Sequence, residues 1–171
     1  DKKLHGTGTP GSETFLQLVD YRYTINGQLA SINNATLDAS TSANDETTDY
    51  FGMELLYNAT ESNLSTTQRY SGLVSAIKWK GPGPTGSNGQ RSYAFEYDKS
   101  GKLENSAYAV KDGSAWSKEA GAQDEVMSYD RNENIKTLTR KQRKHQLTGV
   151  IGSYTSEQID NLTYTYTTAN V

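Results

Sequence analysis

The chain of 171 residues contains no cysteine. Disulfide bonds, thiolate metal sites and cysteine nucleophiles are therefore excluded. The only histidines are His5 and His145, so histidine bases are restricted to these two positions. No apolar run reaches the roughly 18 residues of a membrane-spanning helix, which predicts no membrane insertion. No signal peptide is visible, and a chain that begins with Asp1 rather than Met suggests a processed product or an excised segment.

Large aliphatic residues are scarce, yet the formal net charge is only −3. Low hydrophobicity produces disorder mainly when net charge is high, so a folded domain is expected. Twelve tyrosines and many threonines take the place of aliphatic residues, and both residue types favour β-structure. The sequence pI near 5.4 argues against nucleic acid as a partner, because such modules carry a basic surface.

Residues 91–110 read RSYAFEYDKSGKLENSAYAV. Aromatic residues alternate with other residues up to Tyr97, the period of a strand with one aromatic face. Asp98 and Gly101 suit the first and fourth positions of a type I turn: the Asp carboxylate accepts from backbone amides two and three residues on, and Gly accepts a positive φ. Leu103 then begins the return strand, so the phrase predicts a β-hairpin.

Two further segments repeat this phrase. Tyr23, Gly27 and Leu29 keep the pattern with Thr24 in the Asp position. The third copy has Tyr129, Asp130 and Ile135 at the corresponding positions. Glu133 replaces its glycine, and a left-handed conformation there costs about 1 kcal/mol, which predicts a distorted or bulged turn.

Shorter versions occur at Tyr70 and near the end of the chain. Tyr70 precedes Ser71 and Gly72, which predicts a two-residue hairpin loop, and the phrase containing Tyr166 lacks most of its return half. Repeats at intervals of this kind indicate stacked units that bury their faces on one another. An incomplete last unit predicts an unpaired strand edge, through which an edge-strand homodimer could form.

The phrases Tyr97-Asp98…Gly101…Leu103 and Tyr129-Asp130…Ile135 resemble the YD-repeat, or RHS-repeat, family. Segments 49–58 (DYFGMELLYN) and 70–81 (YSGLVSAIKWKG) are similar to a bacterial branch with surface or secreted members. The resemblance covers residues from about 21 to the C-terminus. The missing glycine at Glu133 and the Thr- and Ser-rich insertions depart from the family pattern.

The resemblance implies an all-β fold, in which consecutive hairpins form a twisted antiparallel sheet within a spiral or shell. It implies a non-catalytic scaffold in a larger extracellular or cell-surface protein, where such arrays enclose a toxin or serve adhesion. The partners would be flanking repeats, with no cofactor.

Residues 1–20 would form an N-terminal arm and lead-in strand, and residues 21–171 one repeat domain. Residues 1–12 are expected to be frayed, and residues 115–128 are the best place for a short helical turn.

Binding of surface glycans is the alternative function, because some members of the family are named for sugar binding. Trp79, flanked by Lys78 and Lys80, and Trp116 are the candidate residues, since an exposed Trp can stack on a sugar ring. Alternation favours burial of Trp79 beside Ile77, whereas burial and exposure remain equally open for Trp116. The basic run at residues 140–145 could bind phosphate or an anionic glycan, although a solvated turn is the commoner structure of such a run.

Other motifs carry little weight. Two Gly-x-Gly-x-x-Gly matches, at residues 6–11 and 81–86, lack the strand and helix that a nucleotide site needs. Residues 130–134 imitate the start of a calcium loop, but Ile135 stands where glycine is required and Lys141 where a bidentate Glu is required. Abundant carboxylates cannot be placed as a catalytic pair from sequence. The sequence therefore predicts no metal site and no enzyme.

Overall fold

The protein is all-β. The computed structural model describes residues 2–9, 12, 14–39, 49–64, 66–81, 89–117, 123–145 and 154–166. No helix occurs within these ranges. The strands are β1 (Lys2–Thr7), β2 (Thr14–Val19), β3 (Tyr21–Tyr23), β4 (Leu29–Ile32), β5 (Gly52–Leu56), β6 (Ala76–Lys80), β7 (Gln90–Tyr97), β8 (Leu103–Asp112), β9 (Ala115–Ser117), β10 (Glu125–Tyr129), β11 (Ile135–His145) and β12 (Tyr154–Thr163).

The main sheet has ten strands, of which nine follow one path in the order β12-β11-β10-β8-β7-β6-β5-β4-β3, while β9 pairs with β8. Every pairing is antiparallel. The sheet is open, with β3 and β12 at its two ends. Strands β1 and β2 form a separate antiparallel pair. The predicted antiparallel all-β class is therefore confirmed.

The β7–β8 turn has the predicted shape with one difference. The Asp98 carboxylate accepts from the Ser100 amide at 2.8 Å and from the Lys102 amide at 2.9 Å, so its second bond reaches four residues on rather than three. The Gly101 amide instead donates to the Asp98 carbonyl at 3.1 Å. Gly101 has a φ of 88°, and the pairing register shifts at Tyr97, as in a type I turn followed by a bulge.

The β10–β11 turn keeps this geometry without glycine, and its pairing register shifts at Tyr129, so the predicted bulge is present. The Asp130 carboxylate accepts from the amides of Asn132 and Asn134. The Glu133 amide donates to the Asp130 carbonyl at 3.2 Å, and Glu133 takes a φ of 69°. The Asp-centred bonds therefore impose the turn on a residue that is strained in it.

Two other local predictions were wrong, and a third is tested only in part. The turn at Tyr70 is flanked by residues outside any strand and lies within the long connection between β5 and β6. Residues 2–7 form β1 instead of fraying. Residues 115–117 and 125–129 are strands rather than a helical turn; residues 118–122 lie outside the described part.

The two faces of the sheet differ in the size of their side chains. One cross-strand row runs Ser31, Glu54, Lys78, Ser92 and Ala109 from β4 to β8, and small residues neighbour it on the same face. Ala35, Glu61 and Leu64 of the connections contact this face, and many of its small residues are deeply buried. The opposite face carries an aromatic row in which Tyr108 is buried, whereas Trp79, Tyr93, Phe95 and Tyr97 are only partly buried.

Candidate functional site

Four tyrosines make the same long-range contact at successive places along the sheet. Each phenol donates to the carbonyl of a residue that starts, or lies just before, the second strand of the preceding hairpin. The pairs are Tyr57 to Leu29 at 2.9 Å, Tyr97 to Val74 at 2.8 Å, Tyr129 to Leu103 at 2.7 Å and Tyr166 to Ile135 at 2.8 Å. We call these residues the interlock tyrosines.

The accepting residues share one position relative to a turn. Each stands two residues after a residue with positive φ, namely Gly27, Gly72, Gly101 or Glu133, with φ values of 79°, 87°, 88° and 69°. This conformation ends the turn, and the carbonyl two residues later then faces the next tyrosine. The spacing from turn to carbonyl is therefore the same at all four contacts.

Tyr23 occupies the corresponding place in the first hairpin but makes no such contact. It ends β3, precedes the turn with Gly27, and is 63 % exposed. Among the described residues its hydroxyl has no hydrogen-bond partner, and β3 pairs only with β4. Tyr23 therefore lies at an open end of the sheet.

A charged cluster anchors the β5–β6 connection to the small-residue face. Lys78 Nζ lies 2.8 Å from a Glu54 carboxylate oxygen and 2.9 Å from one of Glu61. The indole of Trp116 donates to Glu61 at 3.1 Å. Burying a charge is costly unless it is paired and hydrogen-bonded, and each of these groups is. The cluster thus holds the connection against the sheet.

These contacts shift the pKa values of the cluster in opposite directions. Burial lowers the pKa of the Lys78 ammonium, but hydrogen bonds and charge from Glu54 and Glu61 outweigh it and raise the pKa above its usual value. Burial raises the pKa of Glu61, but hydrogen bonds from Lys78 and Trp116 outweigh it and lower the pKa. Both shifts favour the charged pair.

The four predicted glycan-contacting residues do not share one surface. Trp116 is 6 % exposed and packs with Leu64 and Ala109. Trp79 lies on the opposite, aromatic face, partly buried, with its ring 5.8 Å from that of Tyr93. Lys80 Nζ donates to the Thr36 carbonyl at 3.0 Å. Binding of glycan by these residues stays a prediction.

The basic run becomes part of strand β11 rather than a turn. Within it, Arg140 donates to the Asp160 carboxylate through Nε at 2.6 Å and also pairs with it through a terminal nitrogen. Gln142 donates to Glu157 across the same strand pair at 3.4 Å. Asp160 of β12 thus neutralises the charge of Arg140, and the side chains of Lys144 and His145 lie outside the described residues.

Sequence reasoning missed Tyr57 and Glu61. Tyr57 takes the place that the sequence analysis assigned to Tyr70, because a long insertion separates Tyr57 from the Gly72 turn. Tyr70 itself is 78 % exposed. The alternating segment GMELLY, ending in tyrosine, was a usable signal for Tyr57. No local pattern marks Glu61, whose side-chain partners Lys78 and Trp116 come from distant strands.

No protein-family model, curated protein or solved structure matches the chain. Within the described ranges, no group of three or more acidic, histidine or cysteine side chains is arranged to hold a metal ion. The same ranges contain no helix long and apolar enough to cross a membrane.

Proposed function

We propose that this chain is a non-catalytic scaffold segment of a larger cell-surface or secreted protein. In this role, successive hairpins extend one antiparallel sheet and build part of a shell or an adhesive stalk. The observation that carries the proposal is the series of four interlock tyrosines, which join each hairpin to the one before it by the same bond. A contact repeated at every junction suits a structure that grows by adding units.

The ends of the sheet also support this role. Strand β12 pairs only with β11, and Ile159, Leu162 and Tyr166 on or next to it are 48 %, 40 % and 51 % exposed. At the other end, the Tyr23 hydroxyl has no partner among the described residues, at the place where the other tyrosines reach back to a preceding hairpin. Exposed strand edges are normally blunted or covered in folded proteins. Flanking hairpins would cover both ends and supply a carbonyl for Tyr23.

The parent coding sequence and the location of its product test the proposal together. We expect further hairpin phrases on at least one side, each with a tyrosine before the turn and an aliphatic residue two positions after the left-handed residue. Protease treatment of intact producing cells should cleave the protein at the surface, unless it is fully secreted into the medium. A parent with no further hairpins, held inside the cell, would contradict the scaffold role.

A further inference from the structure

A polar cleft of about 740 Å³ lies between the first turn and the β5–β6 connection. Its walls come from residues 24–28 on one side and from residues 57–58 and 69–72 on the other. These segments are joined by the bond from the Gln28 side chain to the Gly72 carbonyl, at 3.1 Å, and by the interlock bond of Tyr57. The cleft is therefore built by two fixed turns.

Among the described residues that line the cleft, Arg69 is the one charged residue. Its backbone amide donates to the Tyr57 carbonyl at 2.7 Å, and its guanidinium carbon lies 5.2 Å from the centre of the Tyr97 ring. Its Nε atom is buried without a hydrogen-bond partner in the described part of the chain. A ligand cannot reach that buried atom, but the two terminal nitrogens of the guanidinium make no hydrogen bond within the described residues and can bind a carboxylate through two parallel bonds.

The other lining groups suit the remainder of such a ligand. The side chains of Asn26, Asn58 and Ser71 are exposed and make no hydrogen bond within the described residues, so their donors and acceptors are available. Tyr70 and Ile25 stand at the cleft with 78 % and 100 % exposure. These two side chains offer apolar surface at the mouth of the cleft, beside polar groups that can fix the orientation of a ligand.

We propose that this cleft binds a small carboxylate-bearing ligand. The Arg69 guanidinium is the anchor for the carboxylate, and the amides of Asn26 and Asn58 bind neighbouring polar groups of the ligand. The proposal is independent of the scaffold role, because a structural segment need not bind a small molecule at all. The carboxylate could belong to a sugar acid or to an acidic peptide.

Titration calorimetry on the full 171-residue chain tests the proposal with three probes. Glucuronate and a tripeptide with blocked ends and a central glutamate each present a carboxylate, whereas glucose is the neutral comparator. We expect at least one carboxylate to bind and glucose to bind at least about tenfold more weakly, since hydrogen bonds to charged groups are the stronger class. Whichever carboxylate binds identifies the source of the ligand.

Two pairs of variants locate the binding. Arg69→Gln and Asn58→Asp are each expected to weaken carboxylate binding at least about tenfold. The first removes the anchor, and the second places a negative charge beside the carboxylate of the ligand. Arg131→Gln and Asn132→Asp make the same chemical changes in the β10–β11 turn and should bind like the parent. Asn58→Asp keeps the side-chain size and leaves the Arg69 contact with Tyr97 intact, so it carries the test if Arg69→Gln fails to fold.

The proposal is overturned if neither carboxylate binds at millimolar concentration, or if glucose binds as well as glucuronate. Parent-like affinity in Asn58→Asp, or in a folded Arg69→Gln variant, would also overturn it. None of these results bears on the scaffold role, which is decided by the parent sequence and by surface exposure.

Discussion

The phenol of Tyr129 lies 2.7 Å from the carbonyl oxygen of Leu103, to which it donates a hydrogen bond across 26 positions of the chain. Strands β8 and β10, which carry the two residues, share only two paired positions in register. The phenol therefore adds a contact at a junction where the backbone ladder is short. This relationship makes the interlock tyrosines the most direct target for testing how the sheet is held together.

Replacing Tyr129 with Phe should destabilise the protein by about 1 kcal/mol, because the Leu103 carbonyl loses its donor in a partly buried place. Urea unfolding followed by circular dichroism measures the change in the free energy of unfolding. Tyr70→Phe is the matched control, since that phenol is exposed and, within the described part of the chain, bonds only to Gln68. Equal stabilities of the two variants would show that the interlock bond contributes nothing.

Glu133→Gly should stabilise the protein by about 1 kcal/mol, because glycine adopts the left-handed conformation of this position without strain. The Lys102 contact with Glu133, at 3.2 Å, is exposed on the Glu side and offers little in compensation. Gly27→Ala is the converse control: it should destabilise through φ alone, since an added Cβ there meets no atom within 4 Å. Thermal and urea unfolding measure the difference. If Glu133→Gly were less stable than the parent, the backbone of Glu133 would not be strained.

Lys78→Met should cost about 2 kcal/mol, because it leaves the carboxylates of Glu54 and Glu61 without their cation. The figure is below that for a fully buried pair, since both carboxylates keep some contact with solvent. Lys99→Met, in the exposed β7–β8 turn, should change the free energy of unfolding by less than about 0.5 kcal/mol. A similar loss in both variants would mean that the cluster has no special role.

The Asp98 turn should make stability depend on acid pH. The Lys102 amide, followed by bonds from Ser100, lowers the pKa of Asp98 from 3.8 to about 2. A folded-state pKa below the unfolded one contributes stability above the unfolded pKa, and this contribution is lost as pH falls from about 4 to about 2. Asp98→Asn should remove that part of the pH dependence in urea unfolding at several pH values. An unchanged pH profile would contradict the assignment.

The open edge at β12 should support self-association. We expect a mass above that of the monomer at high concentration in sedimentation equilibrium, since an unpaired strand can pair with a second copy. Ile159→Lys places a charge on this edge strand and should shift the equilibrium toward monomer, whereas Lys136→Gln on β11 should not. A monomeric mass for the parent at high concentration would count against the edge as a dimer site.

The sequence by itself determined the local elements of this protein. Alternation of aromatic residues before Tyr97 indicated a strand, and Asp98 with Gly101 indicated the turn that the structure contains, because these signals act within about ten residues of chain. The same reasoning located the hairpins around Gly27 and Asp130. All of these depend on backbone preferences and on bonds between residues two to four positions apart.

Only the tertiary structure decided which residues meet across the sheet. The sequence could not show that Tyr57, rather than Tyr70, reaches Leu29, because the inserted connection hides the spacing to Gly72. It could not show that Trp116 is buried and donates a hydrogen bond to Glu61, since that contact joins positions 55 residues apart. Nor could it show that Glu133 accepts a strained conformation, or that Arg69 faces a cleft. Each outcome depends on how distant strands and connections pack, and local preference carries no information about such packing.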